Sequence, residues 1–281
     1  MAAAPSLRRT CALPIALLAL AVVLSACTAL RGADDGPVPG RIARLLPADV
    51  VLLGEQHDAP EHHAIERESV EALVAQRQLA ALALEMAEEG RTTAKLSTAA
   101  TEAQVQAALA WDAKAWPWTD YAPAVMAAVR AGVPVLGANL PRARMRDAMA
   151  DVSLDAQLSE AALRAQQAAV RDGHCGLLPE AQIVPMTRIQ IARDRAMAHT
   201  LAEQPRGPGQ VVLLVTGAAH ADPALGVPQH LPTDLKVRSV RMAAGGAASG
   251  RGGFDAVWAT PALPAQDYCA RVQPPAARPA S

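Results

Sequence analysis

The chain has 281 residues, a formal net charge of −1, 51% hydrophobic residues, 19% charged residues and only 2% aromatics. That apolar share suffices for a large core, which must be built from Ala, Val and Leu because aromatic side chains are scarce. A near-neutral balance lacks the concentrated basic surface that nucleic-acid binding demands, so no nucleic-acid partner is expected.

Arg8 and Arg9 precede an apolar run over 13–24, which ends in Leu24-Ser25-Ala26-Cys27. A basic start, an apolar stretch and small residues before a cysteine form the pattern of a bacterial secretory signal with a lipoprotein cleavage site. The run is shorter than the roughly 20 residues a spanning helix needs. Residues 1–26 are therefore expected to be removed, leaving Cys27 as the lipidated first residue and the membrane as a partner through that anchor. Thr28 is not acidic, so outer-membrane attachment facing the periplasm is the expected location. Residues 27–40 contain Gly32, Gly36, Pro37, Pro39 and Gly40 and read as a flexible tether. About 255 residues follow the cleavage site. They suit one domain over 41–272, with a Pro/Ala-rich tail at 273–281 expected to be disordered.

Short, almost continuous apolar runs at 49–54, 79–86, 133–138 and 210–216 predict strands buried on both faces of a parallel sheet. Pro60, followed by Ile65, Val70, Leu73 and Val74, predicts a helix after the first strand. A second helix is expected over 121–131, with Pro123 in its first turn. The helical stretch 142–204, broken by Gly173, Gly176, Pro179 and Pro185, is long enough to form a cap insertion. Segments 235–242 and 256–260 predict antiparallel edge strands around a glycine-rich hairpin or loop at 245–253. The fold class is thus α/β: a mostly parallel sheet flanked by helices, with a helical cap insertion and antiparallel edge strands. Once Cys11 leaves with the signal and Cys27 is acylated, Cys175 and Cys269 remain. In an oxidising compartment they are expected to pair, stabilising the fold by roughly 4–5 kcal/mol in the chain-entropy model.

Polar residues collect where the strands end: Gly54-Glu55-Gln56-His57-Asp58, Glu85-Met86, Asn139-Leu140-Pro141-Arg142 and Gly217-Ala218-Ala219-His220. Ligands of open parallel sheets bind outside the carboxyl ends of the strands, so these residues are expected to share one crevice. The repeated Gly-x-x-His at His57 and His220 suggests an internal duplication that brings both imidazoles together. Glu85 leaves an apolar strand and must be paired, ligated or protonated; Arg142 is its simplest salt-bridge partner. Of His62 and His63, one is expected to turn toward the crevice and the other toward solvent. Trp111, Trp116, Trp118 and Tyr121 either wall a planar apolar ligand, with Tyr121 offering a phenolate to ferric iron, or pack a cap against the domain. Met186, Gln190, Arg193, Asp194 and Met197 follow helical spacing on the insertion, where core packing explains the methionines equally well.

These residues resemble the ChaN-like haem-binding lipoproteins of the Tiki superfamily. The resemblance rests on Leu53 through Asp58 with His62 and His63, Leu84-Glu85-Met86, Trp118 and Tyr121, Asn139 through Arg142, Gln190 with Arg193-Asp194 and Met197-Ala198, and Gly217-x-x-His220 before Gly226-Val227-Pro228. It implies a periplasm-facing protein that binds haem, as a possible homodimer, in iron acquisition or haem handling. It further implies tyrosine ligation of the iron, by Tyr121 in preference to Tyr268, and propionate contacts from His57, His62, Arg142 and His220, with Glu85 and Asn139 also in the cofactor site. Relatives often carry a basic residue after the second histidine, where this chain has Ala221-Asp222-Pro223. Other branches of the superfamily resemble metal-dependent hydrolases. In that alternative His57, Glu85 and His220 hold manganese, cobalt or zinc, whose bound water attacks an amide or ester. A third reading is an envelope scaffold with a vestigial site.

Overall fold

Runs of Val, Leu and Ala without a charge can be covered on both faces, and in this chain they occupy the middle of a sheet. The structure is a computed structural model that describes Met1, residues 36–246 and residues 252–271. The signal, Cys27, most of the tether and the terminal tail lie outside the described residues. Six strands, β1 (Val50–Glu55), β2 (Leu79–Glu88), β3 (Val135–Asn139), β4 (Val211–Gly217), β5 (Val237–Ala244) and β6 (Ala256–Thr260), lie in the order β3-β2-β4-β1-β5-β6. Every pairing between them is parallel.

This corrects the antiparallel edge expected from the glycine-rich segment: β5 runs parallel to β1, and β6 runs parallel to β5 with Val240 opposite Ala256. The return path explains it. Asp255 accepts hydrogen bonds from Arg238 and from the Ser239 backbone N–H, each at 2.8 Å, so the chain is fastened beside the start of β5 before β6 begins.

Seven helices are present among the described residues: α1 (Val38–Ala43), α2 (Pro60–Ala75), α3 (Glu102–Leu109), α4 (Trp118–Arg130), α5 (Met145–Ala150), α6 (Glu160–Gly173) and α7 (Glu180–Glu203). α2 starts at Pro60 as the sequence predicts, with proline where no intrahelical N–H is required. α4 starts three residues earlier than expected, so Pro123 sits inside it. Alternation along the strands divides the core. Val51, Leu53, Leu82, Leu84, Leu213 and Val215 face α2 and α4, whereas Val50, Leu52, Ala81, Ala83, Val212 and Leu214 meet Met197, Ala198 and Leu201 of α7. Each fully buried Leu or Val contributes roughly 1.5–3 kcal/mol relative to exposure.

The insertion is therefore more than a cap. Its last helix, α7, closes the second face of the sheet, while α5 and the adjoining turns share a small core of Leu140, Ala148, Leu154 and Leu158 with Ile191. Pro185 lies within α7, and the chain breaks instead between Gly173 and Pro179. Cys175 in that break is disulfide-bonded to Cys269, with Cα atoms 5.7 Å apart, as expected from cysteine content. Among the described residues no helix is long and apolar enough to cross a membrane.

Candidate functional site

The carboxyl ends of β1, β2, β3 and β4 open on a crevice of about 1070 Å³ that receives Glu55, His57, Glu85, Asn139, Arg142 and His220. The sequence expectation that the strand ends converge holds for these residues. The two Gly-x-x-His segments meet because β1 and β4 are neighbours, with Glu55 opposite Gly217.

Glu85 owes its position to an irregularity in β2. The register against β3 shifts between Leu84 and Glu88, as bulges beside functional sites commonly do. Asn139 Nδ2 donates to the Glu85 carbonyl at 2.9 Å and fastens the irregular stretch. The Glu85 carboxylate then turns toward β4, where Oε2 accepts from Thr216 Oγ1 at 2.7 Å and from the Gly217 N–H at 2.8 Å. Its other oxygen lies 3.5 Å from His220 Nε2. The partner of Glu85 is thus His220 rather than Arg142, which is largely exposed and lies 3.9 Å from Asp112.

His220 Nδ1 is 2.6 Å from Asp194 Oδ1 on α7. Burial works against the imidazolium, but the charges of Glu85 and Asp194 outweigh it and push His220 up to about 9. Burial raises Asp194 to about 6, with His220 opposing the rise. Burial also opposes ionisation of Glu85, yet His220, His57 and the two hydrogen bonds hold its carboxyl below the usual range.

His57 stands against the same floor. A Cβ on Gly217 would come within 2.9 Å of His57 Nε2, so glycine there leaves room for the ring. His57 Nδ1 lies 2.7 Å from Glu55 Oε1, and its ring meets Trp116 edge-on at 4.8 Å. Burial pulls His57 down, but the Glu55 hydrogen bond and the charges of Glu85 and Glu55 leave it raised.

Tyr121 is not at the crevice, contrary to the expectation that it faces a ligand. It is 1% exposed, and its hydroxyl donates to Glu55 Oε1 at 2.9 Å. Burial and the Glu55 charge push its phenol far above the ordinary range, opposite to what a phenolate ligand requires. Trp111 and Trp118 pack against each other at 5.0 Å, and Trp111 against Tyr121 at 5.7 Å. Trp116 alone of the four aromatic residues lines the crevice.

His62 also departs from expectation. It is fully buried, its Nδ1 accepting from the Gln56 N–H at 2.9 Å and its Nε2 lying 3.0 Å from Thr260 Oγ1. It therefore stitches the turn after β1 to β6 and has no ring nitrogen left for a ligand. His63 is buried as well, rather than solvent-exposed.

Two residues at the crevice were named in the sequence but given no place in the site. Arg193 on α7 lines it. Tyr268, set aside in favour of Tyr121, stands at the mouth, 52% exposed. Its hydroxyl donates to Asp58 Oδ2 at 2.8 Å and accepts from Gln56 Nε2 at 3.1 Å. The available signal was Cys269: a disulfide to the insertion carries its neighbour Tyr268 to the strand ends.

A second cavity of about 1070 Å³ lies between the insertion and the β3 side of the sheet. It sits away from the crevice histidines, and Glu89 within it is already met by Arg144 and His199.

Residues 41–231 match the family described as haem-binding uptake, Tiki superfamily, ChaN. No curated protein matches the chain. Among solved structures, one titled for cofacial haem binding to ChaN of Campylobacter jejuni aligns with a TM-score of 0.62 and 26% identity, over 74% of this chain and 86% of that one. An effector domain of a toxin from Vibrio vulnificus aligns at a TM-score of 0.44 and 16% identity, over 74% of this chain and 36% of that one.

Proposed function

The chain belongs to the ChaN family of haem-binding uptake proteins in the Tiki superfamily, and from that premise we propose that it binds haem in the crevice at the carboxyl ends of β1–β4. The observation that carries this reading is the crevice itself. At about 1070 Å³ it stands at the upper end of small-molecule sites, and it combines apolar walls from Met86, Leu140, Met145 and Trp116 with Arg142, Arg193 and two imidazoles. Such a lining fits a flat apolar macrocycle bearing carboxylates. Arg142, Arg193 and His57 are the donors for the propionates through charge-assisted hydrogen bonds.

The resemblance leads to a tyrosine ligand, and the accessible phenol is Tyr268 rather than Tyr121. Its hydroxyl donates to Asp58, which holds the phenol above its ordinary range, so ligation must displace the proton and break that bond, with a ferric ion at the mouth supplying the charge that favours the phenolate. Burial of both crevice carboxylates among hydrogen bonds favours binding over turnover: Glu85 Oε2 is filled by Thr216 and Gly217, and Glu55 Oε1 by Tyr121 and His57. The hydrolytic alternative would rest on His57 Nε2, His220 Nε2 and Glu85 Oε1, the atoms left over once Glu55, Asp194, Thr216 and Gly217 have engaged the other end of each group.

We place this activity on a lipoprotein anchored through Cys27 to the outer membrane and facing the periplasm, in haem or iron uptake, with dimerisation enclosing the cofactor. The signal pattern at 13–27 and a disulfide suited to an oxidising compartment support that location. The test is a haemin titration of the mature protein and of Ala115→Trp, which fills the crevice from an exposed position. One saturable Soret transition that is lost in the variant is the expected result. Equal binding by both proteins would remove the crevice from the account.

A further inference from the structure

Behind the crevice, on the α2 side of β1, three ionisable side chains converge. Glu55 ends β1, and His63 and Glu66 lie three residues apart on one face of α2. One ligand atom from each lies within 4.8 Å of the other two. Glu55 Oε2 is 3.2 Å from His63 Nε2, yet neither atom makes an aligned hydrogen bond, and the buried Glu66 Oε1 also lacks a partner. Glu66 is 1% exposed, so bulk solvent does not reach it. Three buried ligand atoms brought this close, compensated only by the Glu55–His63 ion pair and by a proton between the two carboxylates, make a site in which a cation can replace that proton.

We propose that Glu55, His63 and Glu66 hold one divalent transition-metal cation of the zinc, cobalt or manganese kind, in a site that backs onto the haem crevice and shares Glu55 with it. One imidazole nitrogen and two carboxylate oxygens are a ligand set those ions accept. Bonds of about 2.0–2.2 Å to a tetrahedral ion put neighbouring ligand atoms roughly 3.4 Å apart, close to the Glu55–His63 separation. Glu55 is also held for the purpose. His57 and Tyr121 both engage Oε1, which fixes the carboxylate with Oε2 turned to the cluster, as outer-shell hydrogen bonds orient metal ligands. Two carboxylates and a neutral imidazole balance a dication. Without it, burial and the charge of Glu55 force Glu66 well above the carboxylate range, so the competing occupant is a proton.

Glu66→Gln separates the two occupants, because the amide has the size of a protonated acid and keeps a donor but lacks the charge a metal requires. Chelator-treated wild type, Glu66→Gln and His63→Gln are titrated with Co²⁺ and Zn²⁺, with visible absorption, elemental analysis after desalting, and thermal melts as readouts. Wild type is expected to retain one equivalent and to melt at higher temperature when loaded. Both variants lose affinity by more than the 10–100-fold that removal of an outer-shell partner costs. Should His63→Gln fail to fold, Glu66→Gln decides. The inference is overturned if chelated wild type takes up no metal, if Glu66→Gln binds as wild type does, or if uptake is lost in His220→Gln but kept in Glu66→Gln, which would move the ion to the crevice. Haemin titration of the same metal-free wild type tests the haem reading independently.

Discussion

His57 and His220 follow the same local sequence, an apolar strand and Gly-x-x-His, yet they sit in different surroundings. The His57 side chain is 38% exposed and pairs with Glu55 from its own strand end. That of His220 is 10% exposed and lies between Asp194 of α7 and Glu85 of β2, two elements far from it in sequence. The motif delivers an imidazole to the strand end; what the imidazole does depends on what the other elements bring. One is a half-exposed group at the crevice surface, and the other is a strut inside its floor.

The largest expected effect tests the strut. Asp194→Ala leaves the His220 charge buried against Glu85 alone, and removal of one partner from a buried pair costs about 3–5 kcal/mol. Urea unfolding should show it, and a loss below about 1 kcal/mol would mean the two histidines are equivalent after all.

The pH dependence should also differ between them. His220 rises from 6.5 to about 9 on folding, so its contribution is fully present below pH 6.5 and is lost as pH climbs through about 9. That amounts to about 3 kcal/mol by linkage. Stability curves at several pH values should decline over that window in wild type and lose that part of the decline in His220→Gln.

Tyr121→Phe should cost about 1–3 kcal/mol by removing a buried hydrogen bond to Glu55, while leaving haem affinity unchanged. A weakened haem complex without lost stability would instead return Tyr121 to the ligand role. The smallest change is expected for His57→Gln, about 1 kcal/mol, because the imidazole is 38% exposed and the amide keeps a donor for the buried Glu55 carboxylate.

The sequence made the inner strands, the start of α2 and the shared crevice legible, because apolar runs, Pro60 and the residues that follow each strand are local signals. It also made the disulfide legible by elimination. It did not show the direction of β6, which depends on Asp255 being fastened beside β5. Nor did it show that His62 is consumed by Gln56 and Thr260, or that Asp194 reaches His220, since those partners are set by packing between distant segments. Tyr121 looked like the better phenol because it lies in the aromatic cluster. Packing turned that cluster inward, and the disulfide brought Tyr268 to the mouth in its place.

The central claim is a haem crevice closed by a phenol from the C-terminal segment. Haemin titration of Tyr268→Phe against wild type, followed through the Soret band and the ferric-phenolate charge-transfer absorption, tests it most directly. The account predicts affinity reduced at least about tenfold with the charge-transfer band gone and the melting curve unchanged. An identical spectrum and affinity in the two proteins would contradict it.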